Sequence, residues 1–187
     1  MSATTAVHHH PSRLRINQLG LWLFILSESF LFAALLSSRY YILGTDRPPE
    51  LNQTLGLALT TVLLFSSLSA YRAEMFASVG RTGAFLGHLL LTVVLGFAFL
   101  VGVGIEWAEA FRHFPPQTAF GSLFFTMTGV HAFHVLSGLI LLLFVYGHGK
   151  RGRFGPGNYW PVEASIKYWH FVDVAWVFIY PTLYLVA

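Results

Sequence analysis

The stretch IKYWHFVDVAWVFIYP, residues 166–181, is almost wholly apolar and aromatic, yet it holds a histidine and an aspartate three positions apart. At that spacing His170 and Asp173 share one face of a helix. Two ionisable side chains in so apolar a segment need an explanation. The remainder of the chain determines whether the segment is surrounded by water or by lipid.

The composition of the chain is that of a membrane protein. Hydrophobic residues make up 55% of its 187 residues and charged residues only 10%, whereas soluble domains carry about 25% charged residues. The net charge of +3 is too small and too scattered to indicate a nucleic-acid partner. Because the chain has no cysteine, disulfides and thiolate metal sites are excluded.

Five segments are long and apolar enough to cross a bilayer, which takes about 20 residues of helix. They are residues 17–42, 51–71, 84–107, 119–146 and 162–186. None shows the alternating pattern of a membrane β-barrel. We predict an all-α integral membrane bundle of five transmembrane helices, with a transmembrane domain over residues 17–187.

The first 16 residues form a polar tail that is too short for a cleavable signal peptide. The tail contains three consecutive histidines, His8 to His10. These could bind a metal, but we interpret them as part of a tail or as the remnant of a purification tag.

The basic residues in the short loops predict the orientation, because cytoplasmic loops are enriched in lysine and arginine. One side carries seven: Arg13, Arg15, Arg72, Arg81, Lys150, Arg151 and Arg153. The other side carries three, Arg39, Arg47 and Arg112, and Lys167 lies near the start of the last span. We therefore predict a cytoplasmic N-terminus and a C-terminus on the outer side.

Five ionisable residues stand out in the middle of the predicted spans, away from their ends: Glu28, His131, His134, His170 and Asp173. A charged group in the membrane interior is unfavourable, so each of them is a candidate functional residue. Counted at about 1.5 Å per residue from the cytoplasmic end, all five fall within a slab roughly 10 Å thick. We predict a buried polar layer that faces the inside of the bundle.

Three interpretations of this layer remain open from the residues alone. Imidazole and carboxylate groups suit zinc, iron or manganese, but a His-x-x-His pair is weak evidence for a metal site. The layer could also relay protons. The interpretation we favour is hydrogen bonding between helices, which fixes how the helices pack and requires no metal.

Five stretches of the sequence, in order along the chain, resemble subunit III of haem–copper terminal oxidases. They are GLWLFILSESFLFAALL (20–36), LNQTLGLALTTVLLFSS (51–67), GIEWAEAF (104–111), FFTMTGVHAFHVLSGLILL (124–142) and YWHFVDVAWVFIYPTLYLV (168–186). Within the first stretch, Glu28 matches the buried glutamate of that family. The resemblance covers nearly the whole chain from about Gly20.

The resemblance implies a subunit without a catalytic centre in an oxygen-reducing, proton-translocating complex. Haem and copper are expected in partner subunits I and II, and no cofactor or metal in this chain. Subunit I is the expected main contact, with subunit II and a small subunit IV in the same complex. The chain resembles the short bacterial form, so we expect it in the bacterial inner membrane, supporting proton uptake and stable turnover.

That short form occurs in cytochrome c oxidases and in quinol oxidases, and the sequence does not separate the two. The long form has two further helices before the one that carries Glu28, and they help to enclose a lipid-filled cleft. A small proton-conducting channel or transporter and a membrane metalloenzyme are the alternatives outside this family. We also expect Lys150, Arg151 and Arg153 to contact anionic lipid headgroups, so a bound phospholipid is consistent with the sequence.

Overall fold

The computed structural model describes residues 13–44 and 51–186. Five α-helices follow one another: α1 (Arg13–Leu43), α2 (Gln53–Ser78), α3 (Thr82–His113), α4 (Ala119–Lys150) and α5 (Trp160–Tyr180). A π-helical turn, Pro181–Leu185, continues α5. The predicted all-α fold with five long helices is confirmed for the described ranges. His8 to His10 and Arg47 lie outside them.

Four of the helices, α1 to α4, are long and apolar enough to cross a membrane by length and composition. α5 falls short of that criterion because it carries Glu163, Lys167, His170 and Asp173 in 21 residues. At about 1.5 Å per residue it is still roughly 31 Å long, which matches the hydrocarbon thickness of a bilayer. It is also well packed, because eleven of its 21 residues, Asp173 among them, are buried against other helices.

α5 lies at the centre of the packing and α1 lies at the edge. α2 and α3 form an antiparallel pair, and α5 packs against α2 and α4. α1 contacts α4 and α5, and only Phe32 and Arg39 among its 31 residues are buried. Most of the surface of α1 is therefore open to lipid or to another chain.

Two glycines make room for the largest side chain of the core, Trp169, which is fully buried. A Cβ atom at Gly96 of α3 would lie 2.5 Å from Trp169 Cη2, and one at Gly138 of α4 would lie 2.9 Å from its Cε3. Small residues of this kind allow membrane helices to approach closely. The indole thus lies between α3 and α4.

The helix ends follow ordinary capping chemistry. Asn52 accepts a hydrogen bond from the Leu55 amide at 3.0 Å, and Thr118 accepts one from the Gly121 amide at 3.0 Å. These side chains satisfy amides that have no partner inside the helix. Between α2 and α3 the chain turns through Gly80, whose φ of +73° favours glycine.

Candidate functional site

Glu28 and His134 form the closest contact among the five residues of the predicted polar layer. His134 Nε2 lies 3.1 Å from the Glu28 carboxylate and joins α4 to α1. The other ring nitrogen, Nδ1, lies 2.7 Å from the Val130 carbonyl oxygen. The His134 side chain is 9% exposed and that of Glu28 21% exposed, so the pair lies just beneath the outer surface of the bundle.

The surroundings of His134 constrain where its protons lie. A carbonyl oxygen can only accept a hydrogen bond, so Nδ1 carries a hydrogen and donates it to Val130. One further proton then lies between Nε2 and the Glu28 carboxyl group. The pair is either an imidazolium facing a carboxylate or a neutral imidazole accepting from a carboxylic acid. Both states keep the same atoms in contact, so the proton can change sides without rearrangement of the helices.

His131 points away from this pair into an aromatic pocket. It is fully buried, and neither ring nitrogen has a hydrogen-bond partner within the described residues. Its ring stacks on Trp176 with centroids 4.9 Å apart and meets the edge of Phe99 at 5.6 Å. Phe32 lies between the two histidines, 6.3 Å from the His131 ring and 5.0 Å from the His134 ring. His131 therefore acts in packing in this arrangement.

His170 and Asp173 lie on the opposite side of the layer, where α5 faces α2. His170 Nδ1 is 2.7 Å from the Ser67 hydroxyl oxygen and 4.0 Å from an Asp173 carboxylate oxygen. The Asp173 side chain is only 5% exposed. Neither of its carboxylate oxygens has a hydrogen-bond partner of good geometry in the described ranges. The sequence predicts that a neighbouring helix satisfies Asp173, and Ser67 of α2, which bonds to His170, is also the hydroxyl that interacts with the Asp173 carboxylate.

The five residues thus divide into three separate environments. They are the Glu28–His134 contact, the aromatic pocket of His131, and the Ser67–His170–Asp173 group. No set of three or more histidine, aspartate or glutamate side chains in the described part of the chain is arranged to hold a metal ion. What the layer offers is hydrogen bonding between helices and one proton shared by Glu28 and His134.

α5 is held by polar contacts to three helices. Trp169 Nε1 donates to Ser66 Oγ at 3.0 Å, and Trp176 Nε1 donates to Thr60 Oγ1 at 2.9 Å, both on α2. On the α4 side, the Tyr168 hydroxyl lies 2.7 Å from Ser137 Oγ. Each of these three polar tips on α5 therefore meets a small hydroxyl side chain on a neighbouring helix.

The third helix contact is a buried glutamate that the sequence analysis did not single out. Glu106 of α3 is 3% exposed, and both of its carboxylate oxygens lie 2.8 Å from the Tyr184 hydroxyl, which donates to them. Tyr184 stands on the π-helical turn after α5. Glu106 escaped notice because it lies at the end of its span, where charged residues are ordinary. The sequence signal that could have identified it is its position at the end of an apolar run that finishes with a tryptophan.

Arg39, which the sequence analysis counts among the three cations of the outer side, is a second buried charge. It is fully buried, and its Nη1 donates to the Gly44 carbonyl oxygen at 2.9 Å. Its guanidinium lies over the Phe120 ring, 5.8 Å from the centroid. This cation therefore ties the end of α1 to the start of α4.

The basic residues Lys150, Arg151 and Arg153 lie at the end of α4 and in the following turn, and all three are exposed. Lys150 Nζ lies over the Tyr146 ring, 5.8 Å from the centroid. Phe154, in the same turn, meets the edge of Phe85 near the start of α3 at 6.3 Å. The basic α4–α5 loop therefore lies beside the α2–α3 loop at one end of the bundle.

Comparisons with known proteins show the family to which the chain belongs. A sequence model of the family described as Cytochrome c oxidase subunit III matches residues 1–187. A probable cytochrome c oxidase subunit 3 of Nocardia farcinica is 29% identical over 194 residues, covering 99% of this chain and 95% of the relative.

Animal proteins match as well. Cytochrome c oxidase subunit 3 of Gallus gallus is 31% identical, covering 95% of this chain and 72% of the relative. That of Rhinoceros unicornis is 33% identical with the same two coverages. The chain, a helical membrane protein of the respiratory chain, therefore belongs to the cytochrome c oxidase subunit III family.

Proposed function

We propose that this chain is the non-redox subunit III of a respiratory haem–copper oxygen reductase that oxidises cytochrome c. In this role it packs on subunit I, stabilises the complex and supports proton uptake during oxygen reduction. The observation that carries the proposal is the family match over residues 1–187. Subunit II and a small subunit IV are the further partners proposed.

The side chains of the membrane interior support the non-redox assignment. A haem iron or copper site needs imidazole, thioether or thiolate groups that converge on one point. His134 already uses both ring nitrogens, and His131 is enclosed by aromatic rings. These residues do not fit a haem or copper centre, so we assign those cofactors to the partner subunits.

The Glu28–His134 contact supports a role in proton uptake. It contains a proton that either partner can hold, and the Glu28 side chain is 21% exposed at the edge of α1. We propose that the polar layer of Glu28, His131, His134, His170 and Asp173 fixes the packing of the helices. Within it, the Glu28–His134 pair acts as a local proton store near the outer surface of the bundle.

The exposed basic cluster of Lys150, Arg151 and Arg153 is proposed to contact phospholipid headgroups. Each cation near an anionic membrane surface contributes about 1 kcal/mol of attraction. Replacing all three with glutamine should lower the anionic lipid retained by the purified complex. Unchanged lipid content would leave the cluster as an orientation signal alone.

We propose the bacterial inner membrane as the location, with the N-terminus in the cytoplasm. In this topology seven lysine and arginine residues lie on the cytoplasmic side and three on the outer side, as the enrichment of cations in cytoplasmic loops requires. A periplasm-dependent reporter fused after Ala187 should be active. Activity of a cytoplasm-dependent reporter at that position would contradict the topology.

Isolation of whatever assembles with this chain tests the function. An affinity tag should bring down a complex that contains haem and copper, reduces oxygen and oxidises cytochrome c. Oxidation of quinol but not cytochrome c would place the complex among quinol oxidases. A chain that purifies without haem would overturn the proposal in both forms.

A further inference from the structure

A groove on the outer surface of α2 and α3 has no place in the function proposed above. Its volume is about 400 Å³. Its walls are apolar and one end is polar. The wall residues are Val62, Phe65, Leu68, Leu91 and Leu95, and the polar end is formed by Ser69, Arg72 and His88.

The polar end is held in position by local contacts. Ser69 Oγ donates to the His88 carbonyl oxygen at 2.8 Å and lies 3.5 Å from His88 Nδ1. The His88 ring stacks on Phe76 with centroids 5.3 Å apart. Arg81 lies over the same phenyl ring, 5.1 Å from its centroid. These contacts fix the His88 ring at the groove. They also bring the Arg81 guanidinium close to it, on the same phenyl ring.

Arg72 is exposed and makes no ion pair with any carboxylate of the described ranges. The groove lining contains no acidic residue. Glu74, two positions further along α2, is not part of the groove lining. The polar end thus presents positive charge without a negative partner from this chain.

Arg72 directly follows the span predicted over residues 51–71, which puts it at the expected headgroup boundary. It lies six residues before Ser78, the last residue of α2, which is about 9 Å along the helix axis. The 26 residues of α2 span about 39 Å, roughly 9 Å more than the hydrocarbon of a bilayer. The apolar walls then run from this boundary into the hydrocarbon.

We propose that this groove is a binding site for one anionic phospholipid. An acyl chain lies along the apolar walls, and the phosphate accepts hydrogen bonds from the Arg72 guanidinium and the His88 ring. An anionic phospholipid fits the groove in both charge and shape, because Arg72 forms no ion pair within the described ranges and lies at the polar end of an apolar groove. The site is separate from the Lys150–Arg153 cluster, which lies on the α4–α5 loop, and does not depend on the electron donor of the complex.

A photoreactive lipid tests the site in the intact complex. Phosphatidylglycerol with a diazirine in one acyl chain should label the α2 and α3 peptides that contain Phe65 and Leu91. Arg72→Gln should lower that labelling about five-fold, the ratio expected for loss of one interfacial cation. Arg13→Gln, which removes an exposed cation from the same end of the bundle, is the matched control and should leave the labelling unchanged.

Two further arms distinguish a site from ordinary contact with bulk lipid. Leu91→Trp fills the groove without altering charge and should also lower the labelling. Photoreactive diacylglycerol, which lacks the phosphate, should label these peptides of the unmodified complex about five-fold less than phosphatidylglycerol. Equal labelling by the two lipids, or equal effects of Arg72→Gln and Arg13→Gln, would overturn the proposal. The comparison of the two lipids uses the unmodified complex, so its result does not depend on whether a variant folds.

Discussion

α5 buries eleven of its 21 residues, whereas α1 buries two of its 31. Yet α1 meets the hydropathy criterion for a membrane span, and α5 does not. In lipid an apolar surface gains little from moving against another helix, because lipid tails are equally apolar. Polar contacts and close packing therefore decide which helix is central, and α5 has more of both.

The difference extends to how each helix is attached. α5 and its π-helical turn reach α2, α3 and α4 through hydrogen bonds from two tryptophans and two tyrosines. α1 meets α4 and α5 through Glu28 at 3.1 Å from His134 and through Tyr40 at 3.5 Å from Thr182. The comparison predicts that matched substitutions will cost far more in α5 than in α1.

The largest effect is expected from truncation of the central indole. Trp169→Ala should lower the stability of the chain by about 3–5 kcal/mol, because it leaves a cavity and removes the hydrogen bond that the indole donates to Ser66. Trp22→Ala on α1, where the side chain is 56% exposed, removes the same atoms and should cost under about 1 kcal/mol. Thermal unfolding of this chain in the purified complex measures both. An equal loss of stability in the two variants would contradict the difference proposed between α5 and α1.

The second-largest effect is expected just beyond the end of α5, where Tyr184 contacts the buried carboxylate of Glu106. Tyr184→Phe removes the hydroxyl that donates to both oxygens of Glu106, so it should cost about 1.5–3 kcal/mol. Tyr41→Phe, at a residue 93% exposed, is the matched control on α1 and should be neutral. The same unfolding measurement applies. If Tyr184→Phe is also neutral, the tyrosine does not hold the π-helical turn against α3.

Glu28 should show a smaller effect that depends on the replacement. Glu28→Ala leaves His134 without its partner and should cost about 1–3 kcal/mol, seen as looser retention of the chain or a shorter working life of the oxidase. Glu28→Gln keeps the shape and one hydrogen bond to His134, so assembly should survive. Neither variant should abolish electron transfer.

The Glu28 result also sharpens the distinction between packing and proton transfer. Turnover and the length of time it is sustained should be recorded for both variants. A fully assembled Glu28→Gln complex that cannot reduce oxygen would show that the glutamate acts directly in proton movement, which contradicts a mainly structural role.

The smallest effect is expected at the edge of the α2–α5 contact. Ser67→Ala removes one hydrogen bond to His170, whose side chain is one-third exposed, and should cost about 1 kcal/mol. Ser27→Ala on α1 is the control, since that hydroxyl bonds only within its own helix, to Phe24. A cost well above that at Ser27 supports the polar attachment of α5. A cost equal to that at Ser27 would mean that His170 finds another partner without strain.

The fold could be predicted because span length and loop chemistry are local properties of the sequence. Depth counting brought Glu28 and His134 to the same level, where they now make contact. Depth counting could not show whether His131 or His134 contacts Glu28, because that depends on how α4 is rotated about its axis. The two histidines lie three residues apart, and a small rotation sends one to α1 and the other into the aromatic pocket.

The Glu106–Tyr184 contact was beyond sequence reasoning for a different reason. The π-helical turn after Tyr180 departs from the regular period of 3.6 residues. A helical wheel therefore gives the wrong direction for the side chains beyond it. A regular period cannot anticipate such a turn, and pairing Tyr184 with α3 requires the three-dimensional structure.

The position of Trp169 has a consequence for biogenesis. Its side chain bonds to Ser66 of α2 and fills the space left by Gly96 of α3 and Gly138 of α4. That space does not exist until those three helices have come together. α1 in turn contacts mainly α4 and α5, so it has little to dock against before they arrive. α1 leaves the ribosome before α2 to α5 but is among the last of these helices to find its final neighbours, so the insertion machinery must release them in one order while the bundle closes in another.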